Sequence, residues 1–207
     1  MKRKRRGGTI LIAAGLLLIA AALFLVGKNL FDEHKAGETA SHVLTILKEE
    51  MPSAEILENP ELDQAEPPDY ILNPDMEMPV IEVEGNSYIG VLEIPSFGLS
   101  LPTMSEWSYP RLKLSPCRYS GSAYTGNFTI AGHNYSTHFG PLKNLKSGDQ
   151  IRFTDVNGRS FLYEVQTVET LEPTAIEDML SDEWDLTLFT CTSSGQARIA
   201  VRCLKVN

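Results

Sequence analysis

Thr9 to Val26 is an unbroken weakly polar to apolar run of Ile, Leu and Ala with one Phe, and Gly15 is its only soft spot. Wound as a helix, the run reaches about 27 Å, close to the hydrocarbon thickness of a bilayer. No polar face emerges at any helical period, which argues against a buried helix of a soluble domain. Lys2, Arg3, Lys4, Arg5 and Arg6 precede it. Basic residues stay on the cytoplasmic side of a membrane span, so everything after Lys28 is expected outside the cell. A cleaved signal peptide has the same basic start. The run is longer than a usual signal core, however, and Leu25-Val26-Gly27-Lys28 is a poor cleavage site. The expectation is a basic cytoplasmic tail over residues 1–8 and a single-pass anchor in the cell membrane over 9–27.

The formal net charge of −9 is unevenly spread. Asp32 to Glu84 holds 15 acidic side chains against Lys35 and Lys48, whereas Ile89 to the end is close to neutral at −2. A nucleic-acid-binding domain needs a basic face on its folded part, and none is offered. Residues 28–87 therefore read as an acidic extracellular stalk. Within it, Ala36, Ala40, Val43, Leu44 and Leu47 fall on one helical stripe, which predicts a short amphipathic helix over His34–Met51, ended by Pro52. Pro60, Pro67, Pro68, Pro74 and Pro79 make the following stretch an extended spacer.

The pattern changes at residue 88. Ile89–Ile94, Leu99–Met104, Phe128–Ala131, Gln150–Thr154, Ser160–Thr170, Leu186–Cys191 and Arg198–Val206 alternate or run apolar. Turn pairs such as Ser147-Gly148, Asn157-Gly158 and Ser194-Gly195 separate them. Only Thr174–Asp182 reads as helical. Seven or more short strands in about 120 residues predict one closed or sandwiched β-domain over 88–207.

Three features of this domain carry chemistry. Gly132-His133-Asn134 follows one strand, Thr187-Leu188-Phe189-Thr190-Cys191 ends another, and Arg198 begins the last. A thiol and an imidazole that meet in space make a nucleophile and its proton carrier. A nearby cation lowers the thiol pKa and stabilises a developing oxyanion. Each residue also has a plain reading: a small buried cysteine, a hydrogen-bonded turn histidine, an edge-strand charge. Spacing alone does not bring the three together.

With these residues in view, the chain resembles the sortases, membrane-anchored cysteine transpeptidases of Gram-positive bacteria. The pattern Thr-Leu-X-Thr-Cys is present as residues 187–191, the Gly-His pair as Gly132-His133, and the arginine that opens the next strand as Arg198. Ile89-Gly90-Val91-Leu92-Glu93-Ile94-Pro95 resembles the family's first strand. The resemblance implies a mostly β fold, a closed sortase-type barrel of about eight strands with one or two short helices, behind the N-terminal transmembrane helix. It implies Cys191 as the nucleophile on a Leu-Pro-X-Thr-Gly-like sorting signal and His133 as the acid and then the base. Arg198 would orient the peptide and hold the oxyanion, with Thr190 and Asn134 as substrate-binding candidates. The implied partners are surface proteins bearing sorting signals and an amine acceptor, such as a peptidoglycan precursor of the cell wall. No cofactor and no metal are implied.

Several choices stay open in the sequence. Arg202 lies on the same strand face as Arg198 and competes for the arginine's role. His138 reads as a loop histidine with a polar surface contact, and a metal set with His133 is a weak alternative. Cys117 stands beside Arg118 and could be reactive, Cys203 reads as core, and a disulfide between the two is open. Trp107 and Tyr109 suit either a substrate groove or a cover for the barrel. Glu172, Glu177 and Asp178 are candidates for the calcium control found in some members. Asn73-Pro74-Asp75-Met76 lacks the aromatic of a pilin-type lid, which favours a wall-anchoring type. Two other functions remain: a cysteine endopeptidase with water as acceptor, and a non-catalytic, membrane-tethered domain that binds peptide signals.

Overall fold

A computed structural model of the chain describes residues 5–52, 68–73 and 76–206. Most of the cytoplasmic tail, the proline-rich spacer from residue 53 to 67 and the centre of the Asn73–Met76 segment lie outside the described residues.

The first element is one continuous helix, α1 (Arg5–Glu50). At 46 residues it is about 69 Å long. Its first half has a window of mean hydropathy 2.9 with none of it buried. Its second half is the stripe read from the sequence, but two expectations change. The amphipathic segment is not a separate short helix, and it does not stand clear of the domain. Ala36, Ala40, Val43 and Leu47 are buried against the sheet. Val43 and Leu47 join Val83, Tyr88, Val91, Met104 and Cys117 in an apolar layer on the outside of the barrel. The apolar stripe of this helix had a partner further along the chain.

After the single turn α2 (Asp69–Leu72), nine strands follow: β1 (Ile81–Val83), β2 (Asn86–Ile94), β3 (Leu99–Met104), β4 (Cys117–Ser122), β5 (Gly126–Ala131), β6 (Gln150–Asp155), β7 (Ser160–Leu171), β8 (Leu186–Cys191) and β9 (Arg198–Lys205). Helical turns α3 (Tyr109–Leu112) and α4 (Ile176–Met179) lie before β4 and β8. The order is β1-β2-β3-β4-β5-β8-β9-β7-β6, and β6 pairs back onto β2. That last pairing closes β2 to β9 into an eight-stranded barrel, which removes the free edges of the sheet. Phe128, Ile130, Phe153, Tyr163, Leu188 and Val201 are among the side chains that fill it.

The barrel sheet starts at Ile81 rather than at residue 88. β1 joins β2 through Glu84 and Gly85, both with positive φ (51° and 77°), the conformation of a two-residue hairpin turn. In β2 the register slips between Tyr88 and Gly90. Ile89 and Leu92 therefore both face the interior, while Tyr88 and Val91 both face α1. Gly90 sits where β6 crosses closely: a Cβ there would lie 2.1 Å from the Thr154 carbonyl oxygen.

Candidate active site

β5 and β8 are parallel neighbours, and Ala131 pairs with Phe189. The Gly132 N–H donates to the Phe189 carbonyl at 3.0 Å, which extends the match by one residue. Two positions past the pair on each strand stand His133 and Cys191. Neighbouring parallel strands, about 5 Å apart, thus deliver two residues 58 apart in sequence to one end of the barrel, Cys191 as the last residue of β8 and His133 in the turn that follows β5. On the other side β8 is antiparallel to β9, and Cys191 is the direct partner of Arg198. The short hairpin between them is closed by Thr192 N–H to Ala197 O at 2.9 Å and Gly195 N–H to Thr192 O at 2.8 Å.

A groove of about 200 Å³ opens here, lined by Thr190, Cys191, Arg198, Phe189, Ala131 and Gly132. Cys191 is exposed, while Cys117 and Cys203 are buried, and all three are free thiols. Thr190 is 3% exposed and its hydroxyl has no hydrogen-bond partner. One wall is aromatic: Trp107 packs on Tyr109 and Tyr119 at 5.6 and 5.2 Å, and Tyr119 meets Phe189 edge-on at 5.2 Å. The opposite wall is the β7–β8 connection, with Pro173, Ala175, Ile176 and Met179. Trp107 and Tyr109 therefore belong to the groove.

The Arg198 guanidinium donates to the carbonyls of Gly195 and Ala197 at 3.2 and 3.1 Å, which holds it at the hairpin. Arg202 is spent elsewhere. It is 2% exposed and donates to Glu169 at 2.5 Å, Thr187 at 3.1 Å and the carbonyls of Asp178 and Met179 at 2.6 and 3.3 Å. It clamps α4 to the barrel and does not line the groove.

His133 stands beyond the groove lining, half-buried, its ring stacked on Tyr135 at 4.1 Å and 4°. Burial, and then the positive Lys113, push its pKa below the ordinary imidazole value. The preceding Gly132 has a packing cause, since a Cβ there would lie 2.3 Å from the ring of the fully buried Phe139. Asn134 lies in the same turn, outside the groove lining, with its amide oxygen near Gly140.

Two side-chain expectations are corrected. His138 has no polar surface contact: it is fully buried. Burial, with His133 next, pushes its pKa down to about 4, against the opposing pull of the Ala36 backbone and Glu33. Cys117 is not reactive by environment: burial pushes its thiol up to about 12 despite Arg111 nearby. Burial raises the Cys203 thiol as well. Among the described residues no three His, Cys, Asp or Glu side chains gather in a way that could hold a metal ion.

Sequence reasoning missed the clamp by Arg202, the stacking of Tyr135 on His133, and the α4 wall. The even spacing of His133 and Tyr135 was the one available signal for the second.

A family profile described as the sortase domain matches residues 92–206, just over half of the chain. The chain is 32% identical over 72 residues to the putative sortase YwpE of Bacillus subtilis (strain 168), a match covering 32% of this chain and 68% of that protein. Sortase C1 from Streptococcus suis aligns with a TM-score of 0.52 at 25% identity, over 58% of this chain and 73% of that one. A pilus-related sortase C of Group B Streptococcus aligns at 0.53 and 25% identity, over 61% and 70%. A Clostridium perfringens sortase D5 transpeptidase shares the fold at 0.53 and 24% identity, over 61% and 83%. The profile begins inside β2 and ends just past β9, so it spans His133, Cys191 and Arg198. A closed barrel that pairs an exposed thiol at the end of β8 with the arginine that opens β9, matched by the sortase profile over more than half of the chain, identifies the chain as a member of the sortase family, a transpeptidase of the cysteine type.

Proposed function

We propose that the chain cleaves a Leu-Pro-X-Thr-Gly-like sorting signal and joins the new C-terminus to an amine of the cell wall. The observation that carries this reading is the register: Cys191 pairs with Arg198 across β8–β9, and β8 runs parallel to β5, whose last paired residue, Ala131, stands two positions before His133. The Cys191 thiolate adds to the carbonyl carbon of the Thr–Gly bond, and Arg198 lies where it can hold the resulting oxyanion. The C–N bond then breaks, and the departing amine takes a proton from the His133 imidazolium. An acyl thioester on Cys191 remains. An incoming amine gives its proton to His133 and attacks the thioester, and the C–S bond breaks to regenerate the thiolate. Burial and Lys113 favour neutral His133, so the protonated form needed for amine departure is the minor one at neutral pH. Thr190 offers the peptide a buried hydroxyl without a partner. Asn134 borders the His133 turn as a further peptide contact.

The long helix also supports an orientation for the anchored enzyme. Glu33 of α1 bonds to Ser136 just after His133, while Pro52 meets the Gly158 turn at the far end of the barrel. With the apolar run in the membrane and the basic tail in the cytoplasm, the catalytic end faces the outer membrane surface. Glu33 stands seven positions after Val26, a rise of about 10 Å.

Intact-mass spectrometry of the detergent-solubilised chain tests the reading. The chain is mixed with a panel of Leu-Pro-X-Thr-Gly-like and Asn-Pro-type peptides, with and without triglycine. An acyl adduct on Cys191, absent in Cys191→Ala and converted to ligated peptide by the amine, is expected. An adduct that yields only hydrolysed peptide in the presence of amine would point to an endopeptidase. No adduct with any peptide, together with a Cys191 inert to alkylation, would refute a catalytic role.

A further inference from the structure

We propose that the juxtamembrane part of α1 is a brace that positions His133 through Tyr135, so that Tyr135, Glu33 and Gly37 are positioning residues for the reaction. The proposal rests on the reading of His133 as the proton carrier. The turn after His133 is held by the helix along its length. Tyr135, 5% exposed, stacks face to face on the His133 ring and lines a cleft with Asp32, Lys35 and Ala36 of α1. The Ser136 N–H donates to a Glu33 carboxylate oxygen at 2.7 Å, and the Ser136 hydroxyl donates to the same oxygen. Thr137 packs where a Cβ on Gly37 would lie 3.1 Å from its methyl carbon. His138 is fully buried.

The barrel accounts for only part of this order. Backbone bonds from Phe139 N–H to His133 O (3.1 Å) and from Gly140 N–H to Tyr135 O (2.9 Å) close the turn on itself. They do not fix how the Tyr135 ring lies, and without α1 that ring would lose one wall of its cleft. A stacked ring restricts its partner to one plane, and an imidazole that moves protons to and from an amine tolerates little displacement. The helix that carries the apolar run thus also orders the turn beside Cys191. It would contribute to turnover as well as to location.

The test uses the full chain in detergent micelles, with the peptide that acylates it best and triglycine as acceptor. Glu33→Ala combined with Ser136→Ala removes the bonds without adding bulk, and Gly37→Leu forces the helix off Thr137. Tyr135→Ala removes the stacked ring, and Tyr135→Phe keeps it. The expected result is a kcat about tenfold lower in the first three, with peptide KM within about twofold, and near-normal kcat in Tyr135→Phe. Glu84→Ala removes the contact of α1 with the barrel through His42, at 3.2 Å and away from the turn, and should leave kcat unchanged. Normal kcat in both the Glu33/Ser136 double variant and Tyr135→Ala would overturn the proposal, as would an equal loss in Glu84→Ala. If Gly37→Leu unfolds by circular dichroism, the double variant alone decides. Failure of the wild-type chain to form the acyl adduct would instead refute the proposed function, so the two failures are told apart.

Discussion

Arg202→Met should loosen one wall of the groove while leaving His133, Cys191 and Arg198 untouched. Arg202 is 2% exposed and makes four hydrogen bonds, two of them to the Asp178 and Met179 carbonyls at the end of α4. Glu169 is 39% exposed, so its carboxylate can turn to water and the lost ion pair counts for under about 1 kcal/mol. The Thr187 hydroxyl and the Met179 carbonyl are less free to find water, and leaving such groups unpaired costs about 1–3 kcal/mol each. Methionine recovers part of the apolar contact of the arginine stem. The net loss comes to about 3 kcal/mol, near the upper end for a single substitution. For a domain of this size each kcal/mol lowers Tm by roughly 4 °C, so the drop should be about 12 °C. Arg202→Lys keeps the charge but reaches fewer of the four acceptors, and should fall roughly halfway. The assay is thermal unfolding by circular dichroism, alongside peptide KM at a temperature where both proteins are folded. KM should rise several-fold with a smaller change in kcat, because Ile176 and Met179 line the groove and Cys191 does not move. A Tm within about 2 °C of wild type would refute the clamp. Unchanged KM with a large Tm drop would refute its link to the groove.

The remaining perturbations act on titration and packing. His138 titrates near 6.5 when unfolded and near about 4 when folded, so its contribution to stability is whole above pH 6.5 and is lost as pH falls toward 4. The loss amounts to roughly 3 kcal/mol, and His138→Phe should flatten the pH dependence of urea unfolding over that window. Lys113→Gln removes a charge that lowers the His133 pKa, so the limb of the rate profile that His133 sets should move to higher pH, and a profile unmoved at both limbs would exclude His133 as a titrating group. Iodoacetamide should add once to the native protein, at Cys191, and three times in urea, because Cys117 and Cys203 are buried with raised thiol pKa values. A second adduct in the native state would contradict the burial of those two thiols.

What was legible and what was not divides along physical lines. Leu99–Met104 and Leu186–Cys191 form strands over the spans their alternation predicted, because each has one face against the barrel interior. β4 escaped notice: Cys-Arg-Tyr-Ser-Gly-Ser is mostly polar, its register slips twice, and its pairing with β3 is a single position. β1 escaped because three residues carry no period, although Gly85 marks its turn. The helical stripe at Ala36 to Leu47 was plain, yet a stripe says only that something covers it. Its cover is the outer face of β1 to β3, and that face exists because the slip at Gly90 turns Tyr88 and Val91 outward together. The delivery of His133 and Cys191 to the same end of the barrel was beyond reach for the same reason. Adjacent placement of β5 and β8 follows from closing the barrel, a property of all the strands at once. The motif residues point to the chemistry, while the placing of Gly132-His133 and Cys191 at one end of the barrel depends on a parallel pairing that ends at Ala131 with Phe189 and lies outside both motif positions.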